Sequence, residues 1–217
     1  MRTLLAGLLL CVAIHAEDWQ TAFARIRIRA TNFSAHLTPP VALILTNFQP
    51  TAELRAVVLM PGAADRLYFY DWGEIALPQN PTLLDAVTAL ANKAGLSIFA
   101  VPPFLLIGMP YDNPADPLNF APGTPIEKLK LDERKFRGRT YFLDRPYDRL
   151  VSQTEKLTHL RVKPSRSDPA SWHFYRLAFV GYDLTAPEFL RALAYGTKTT
   201  VRIDRKRAIF TERPFVP

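Results

Sequence analysis

Two hydrophobic rhythms run through the 217-residue chain, one with the period of a strand and one with the period of a helix. Phe23, Ile26 and Ile28 stand among Arg25, Arg27 and Arg29 in near alternation, which predicts a strand with one wet face. Thr38-Pro39-Pro40 breaks that run. The apolar segment from Val41 to Leu45 then predicts a buried strand, and after Gln49-Pro50 the segment from Leu54 to Met60 predicts another. Pro61-Gly62 marks a turn. Arg66 to Leu77, with three aromatics between Leu67 and Tyr70, predicts a further strand.

The rhythm then changes. Asn80 suits an N-cap and Pro81 the first helical position, where its missing N–H costs nothing. Leu83, Leu84, Val87, Leu90, Ala91 and Ala94 follow along one stripe, and Gly95 stops the helix in the left-handed conformation that glycine adopts easily. Leu96 to Phe99 and Phe104 to Ile107 predict two strands after it. Pro110, Pro114, Pro117, Pro122 and Pro125 are interleaved with Asp, Asn and Gly, so this stretch holds neither a helix interior nor a central strand. Residues 110–135 therefore read as a linker or long surface loop. Next to the charged run from Glu127 to Arg139, Ile126 together with Leu129, Leu131 and Phe136 offers apolar side chains to an edge.

The same grammar returns further on. Thr140 to Leu143 predicts a strand, Asp144 a cap, Leu150, Val151, Thr154 and Leu157 a helical stripe, and Leu160 to Val162 a strand. Phe174 to Val180 predicts another strand. Thr185-Ala-Pro-Glu188 fits the capping box, Phe189, Leu190 and Leu193 face a core, and Gly196 ends the helix. Thr199 to Ile203 and Ala208 to Thr211 then form a hairpin across a basic turn. The helix starts at Pro81 and Pro187 align at an offset of 106 residues, and each helix leads into two strands, which points to a repeated unit. Together these elements predict an α+β protein of two small domains, each a mixed β-sheet packed with one or two short helices. One spans residues 17–109 and the other residues 136–217.

Tyr141 to Val151 with Leu157 to Val162, and Val180 to Leu193 with Thr200 to Asp204 and Ala208 to Thr211, resemble the two strand-helix units of the short N-terminal domain of secretins and TonB-dependent transducers, STN. His159 stands where that family usually has glycine, and Gly196-Thr-Lys lacks its usual Gly-Leu. The resemblance implies two strand-helix units sharing one sheet. It also implies a protein-interaction module in a secretin- or TonB-type envelope assembly, with no cofactor and no chemistry of its own.

Three compositional facts bear on location and partner. Arg2, the apolar run from Thr3 to Ile14 and Ala16 have the three parts of a secretory signal, so residues 1–16 read as a signal peptide and the protein as exported, periplasmic or secreted. Cys11 is the one cysteine, so the mature chain relies on its hydrophobic core rather than on disulfides. No second long apolar run predicts a transmembrane segment. The net charge of +7 lies wholly in the second half: residues 1–110 carry seven basic and seven acidic side chains, residues 111–217 twenty and thirteen.

That asymmetry selects the candidate binding residues. Arg202, Arg205, Lys206 and Arg207 cluster on the terminal hairpin, and Arg161, Lys163 and Arg166 follow the second helix, a pattern that suits an acidic protein partner, another anionic surface or nucleic acid. Trp172, Phe174 and Tyr175 supply stacking faces to the nucleic-acid reading. For catalysis the sequence offers little. It carries no nucleophile elbow, Walker loop or dinucleotide fingerprint, and His36, His159 and His173 are too scattered for a metal motif. Asp71 and Glu74 beside Tyr70 and Trp72 are the one carboxylate pair with the look of a sugar-processing site, so a carbohydrate-active enzyme is the remaining alternative.

Overall fold

A computed structural model describes residues 19–28, 40–69, 77–143, 147–164 and 177–213. The signal-like segment, Asp71, Glu74, Arg166 and the aromatics 172–175 lie outside the described residues.

Strands without a polar face need cover on both sides, and the middle of the molecule answers that requirement. β1 (Ala56–Leu59), β3 (Phe104–Gly108) and β7 (Ala178–Tyr182) are buried along nearly their whole length. β2 (Ser97–Val101) and β5 (Arg139–Leu143) flank them in a five-stranded sheet ordered β2-β3-β1-β7-β5, parallel at β1·β3 and antiparallel elsewhere. Successive side chains point to opposite faces. Val57, Leu59, Leu105, Ile107 and Val180 therefore enter one core, and Val58, Leu106, Phe142 and Phe179 enter another.

The first core is closed by α1 (Trp19–Arg25), α2 (Pro40–Asn47), α3 (Pro61–Phe69) and α4 (Leu83–Ala94). The second is filled by α6 (Tyr147–Thr158) and α7 (Ala186–Gly196). Behind these lies a second mixed sheet of β4 (Leu118–Phe120), β8 (Thr199–Asp204), β9 (Arg207–Glu212) and β6 (Arg161–Pro164), in that order. The short α5 (Ile126–Leu129) lies between β4 and β5 in the chain. Layers alternate as helices, sheet, helices, sheet, which makes the α+β class plain. A helix between two sheets must be apolar nearly all round, and nine of the eleven residues of α7 are buried. Its capping box is formed: the Thr185 hydroxyl accepts from the Glu188 N–H while the Glu188 carboxylate accepts from the Thr185 N–H.

Several expectations change. Residues 19–25, 40–47 and 61–69 are helices, not strands. Pro40 and Pro61 each open a helix, where proline's fixed φ is already suited, and a five-residue apolar run such as Val41 to Leu45 fits a buried helix as well as a strand. α4 is capped by Thr82, in a capping box with Asp85, rather than by Asn80, while Gly95 stops it at φ 63° as expected. Gly196 is the last helical residue of α7, and the left-handed position falls at Lys198, φ 52°. Residues 110–135 are not a free linker, because Leu118–Phe120 pairs in parallel with Val201–Ile203.

The two expected domains do not have separate sheets. β2, β3 and β1 come from residues 17–109, β7 and β5 from residues 136–217, and the antiparallel pairing of β1 with β7 joins them into one sheet. Four helices rather than one or two cover the N-terminal part. Over Arg139–Glu212 the described elements run β-α-β-β-α-β-β. The strands nevertheless divide, β5 and β7 into the first sheet and β6, β8 and β9 into the second, with α6 and α7 between, so the two units share two sheets rather than one.

Candidate anion-binding groove

The second sheet has one dry face and one wet face. Val201 and Ile203 on β8, Ala208 and Phe210 on β9, and Val162 on β6 point into the core. Arg202, Arg207, Arg161 and Lys163 alternate with them and are exposed. Register sets two rows: Arg207 lies beside Arg161 on one side and Asp204 on the other, while Arg202 and Lys163 flank Ile209. Like charges placed side by side in a sheet are unfavourable, so the Arg161 and Arg207 pair is a feature that folding alone does not ask for.

The two-residue loop of Arg205 and Lys206 closes the hairpin, with Arg205 at φ 54°. Of the common two-residue turns, type II′ has positive φ at the first central position alone, and there glycine is the favoured residue. An arginine occupies it instead. The loop is held against the segment before α5: the Thr124 hydroxyl donates to the Ile203 carbonyl at 3.1 Å, and the Ala121 N–H donates to the same carbonyl at 2.8 Å. Behind the loop, the Arg161 N–H donates to the Lys206 carbonyl at 2.9 Å.

These three segments enclose a groove of about 800 Å³. Arg161, Arg205, Lys206 and Arg207 line it, joined by Lys128 and His159, over a floor of Gly123, Pro125 and Leu129. Among the described residues no acidic side chain lines it. None of its five Lys and Arg side chains has an ion-pair partner among the described residues. Each close pair of like charges on a wet surface costs up to about 1 kcal/mol, a repulsion that a bound anion reverses.

Four of the seven residues proposed from the sequence thus meet in one groove. Arg202 and Lys163 share the same outer face without lining it, and Arg166 lies outside the described residues. Sequence reading missed Lys128 and His159. Lys128 belongs to the charged run from Glu127 and sits on the short α5, not in a loop. His159 is the residue after α6 and takes φ 56°, the left-handed place where the resembled family has glycine.

A second polar cluster is structural. Arg191 on α7 grips Asp116 through two hydrogen bonds of 2.9 and 3.0 Å, and Tyr195 Oη donates to the Pro114 carbonyl at 3.0 Å. Arg213 donates to the carbonyls of Asn113, Ala115 and Thr199. Every member is satisfied, and together they fasten the proline-rich segment to α7 and β8. Burial pushes the Tyr195 hydroxyl above its ordinary value, and the Asp116 charge adds to that.

Among the described residues, no three His, Cys, Asp or Glu side chains stand close enough together to hold a metal ion, and no helix is long and apolar enough to cross a membrane. Comparison of the chain with protein-family models, with curated proteins and with solved structures finds no match.

Proposed function

We propose that this chain is an exported, non-catalytic protein-interaction module that engages an acidic partner in the cell envelope through the groove around Arg161 and Arg205-Lys-Arg207. The observation that carries this reading is the meeting of five cations from three separate segments that, among the described residues, have no ion-pair partner and no acid between them. Export rests on the signal-like pattern of residues 1–16. The strand and helix order over Arg139–Glu212 is in keeping with the resemblance to STN modules, but the split of those strands between two sheets is not, so a role as accessory or adaptor in a secretin- or TonB-type assembly stands on the sequence motifs alone.

The alternative partner is nucleic acid or another polyanion, drawn by the same charge. Against it, the described residues lining the groove include no Trp, Tyr or Phe on which bases would stack. The test is photo-crosslinking in the host cell from a benzoylphenylalanine placed at position 206. Capture of an acidic segment of one envelope protein, abolished by the paired change Arg161→Ala and Arg207→Ala, is the expected result. Retention of the same crosslink in the paired variant, or recovery of nucleic acid alone, overturns the proposal.

A further inference from the structure

Beyond the hairpin groove lies a second depression, of about 910 Å³, lined by Lys135, Arg137 and Lys156 with Arg134, Glu133 and Asp183. His159 lines both. The two acids of the second depression are already engaged: Glu133 faces Lys130 at 3.3 Å, and the Asp183 carboxylate accepts from the Gly138 N–H at 2.7 Å. Arg134 is engaged too, donating to the Thr158 carbonyl at the C-terminal end of α6, where a cation suits the helix dipole. Lys135, Arg137 and Lys156 have no side-chain partner among the described residues.

From this arrangement we infer that the two depressions form one track, with His159 on the saddle, and that the track takes an extended peptide segment in which acidic and apolar side chains are mixed. This deepens the proposed function and rests on it. Three observations choose a peptide over a nucleic acid. The track has apolar footing at Pro125 and Leu157, which side chains of a peptide would cover. A phosphate backbone, charged at every step, would run past Glu133 and Asp183, whereas a peptide can place an apolar or neutral residue there. Among the described residues no exposed aromatic carbocycle lines either depression, Phe136 being buried.

Three residues lining the track, His159, Asp183 and Arg205, hold positive φ. His159 and Arg205 hold φ of 56° and 54°, which glycine would adopt at lower cost. At His159 and Arg205 a side chain with hydrogen-bond donors stands on the track instead.

Full-length mature protein is titrated with fluorescein-labelled peptides, Glu-Leu-Glu and (Glu-Leu)5, by anisotropy at 50 and 150 mM salt. The longer peptide is expected to bind at least tenfold tighter. Lys135→Ala with Lys156→Ala should weaken it five- to twentyfold and leave the short peptide unchanged, whereas Arg205→Ala with Arg207→Ala should weaken both. His159→Gly should weaken the long peptide threefold or more while the melting temperature stays the same or rises, which separates contact from misfolding. If the Lys135 and Lys156 pair leaves the long peptide's affinity intact while the Arg205 and Arg207 pair still matters, the track fails and the hairpin groove survives. Tighter binding of a 20-nucleotide single strand than of (Glu-Leu)5 overturns the choice of ligand.

Discussion

Among single residues, Asp116 shows how a local network turns into a pH dependence. Burial alone would push its carboxyl up. Hydrogen bonds from Arg191 and from the Leu118 N–H, with the charges of Arg191 and Arg213, outweigh that and hold it below the ordinary carboxylate value of 3.8. Asp85 is held low as well, first by the Thr82 backbone N–H and then by the Thr82 hydroxyl, with burial opposing and the Arg27 charge assisting. A carboxyl whose folded value is depressed lends stability above its unfolded value, and that stability is lost as pH falls through the lower, folded one. Denaturation midpoints should therefore be flat down to about pH 5 and fall below pH 4 as both carboxyls take up protons. Asp116→Asn should lower stability at pH 7 and make the acid limb shallower. An unchanged acid limb would show that the Arg191 grip adds nothing. The effect is modest, because the Asp116 side chain is 55 % exposed and the pair is screened.

Among the elements, α7 sets the tolerances. It is pressed between two sheets, and its last turn comes so close to the first that a Cβ on Gly196 would lie 2.3 Å from Leu177 Cδ1 and 3.6 Å from Val58 Cγ1. Gly196→Ala should therefore destabilise the fold by about 1–3 kcal/mol through overpacking, although alanine is the better helix former. A rise in urea midpoint would refute the close approach. The elements also differ in how legible they were. Helix α4 could be read from its one-sided stripe and its Gly95 stop, and α7 from its capping box, since those signals are local in the chain. The helices of residues 19–69 could not, because a run like Val41 to Leu45, buried all round, carries no period, and proline at its head marks a helix start as readily as a break. β4 was hidden for a different reason: a three-residue edge strand between Pro117 and Pro122 exists only because β8 offers it a partner. The groove was half legible. Charge on the hairpin was plain, but Lys128 and His159 reach it through chain segments that only the sheet pairing brings together.

For the whole molecule, the decisive feature is the seam between β1 and β7. Four residue pairs, from Ala56 with Gly181 to Leu59 with Ala178, carry the sheet across what composition marks as a domain boundary. Arg55 adds to it. Its guanidinium pairs with Glu188, the same side chain that completes the α7 capping box, and donates to the Asp183 carbonyl at 2.9 Å. Arg139 donates to the Leu45 carbonyl at 2.9 Å, and Tyr182 Oη to the Phe48 carbonyl at 3.3 Å. Opening this seam would leave main-chain donors and acceptors of β1 and β7 without partners between two apolar cores, at about 1–3 kcal/mol for each buried group, which is more than a hinge can lose and remain folded. The halves should consequently unfold together. Leu105→Ala in the first core should cost about 2–5 kcal/mol and Phe189→Ala in the second about 3–5 kcal/mol, and each should shift one common transition. Hydrogen exchange measured by mass spectrometry decides the matter. Amides of β3 and β8 should lose protection by the same amount in either variant. Loss confined to β3 in Leu105→Ala, with β8 unmoved, would mean that the seam opens and that the two halves are separate folding units.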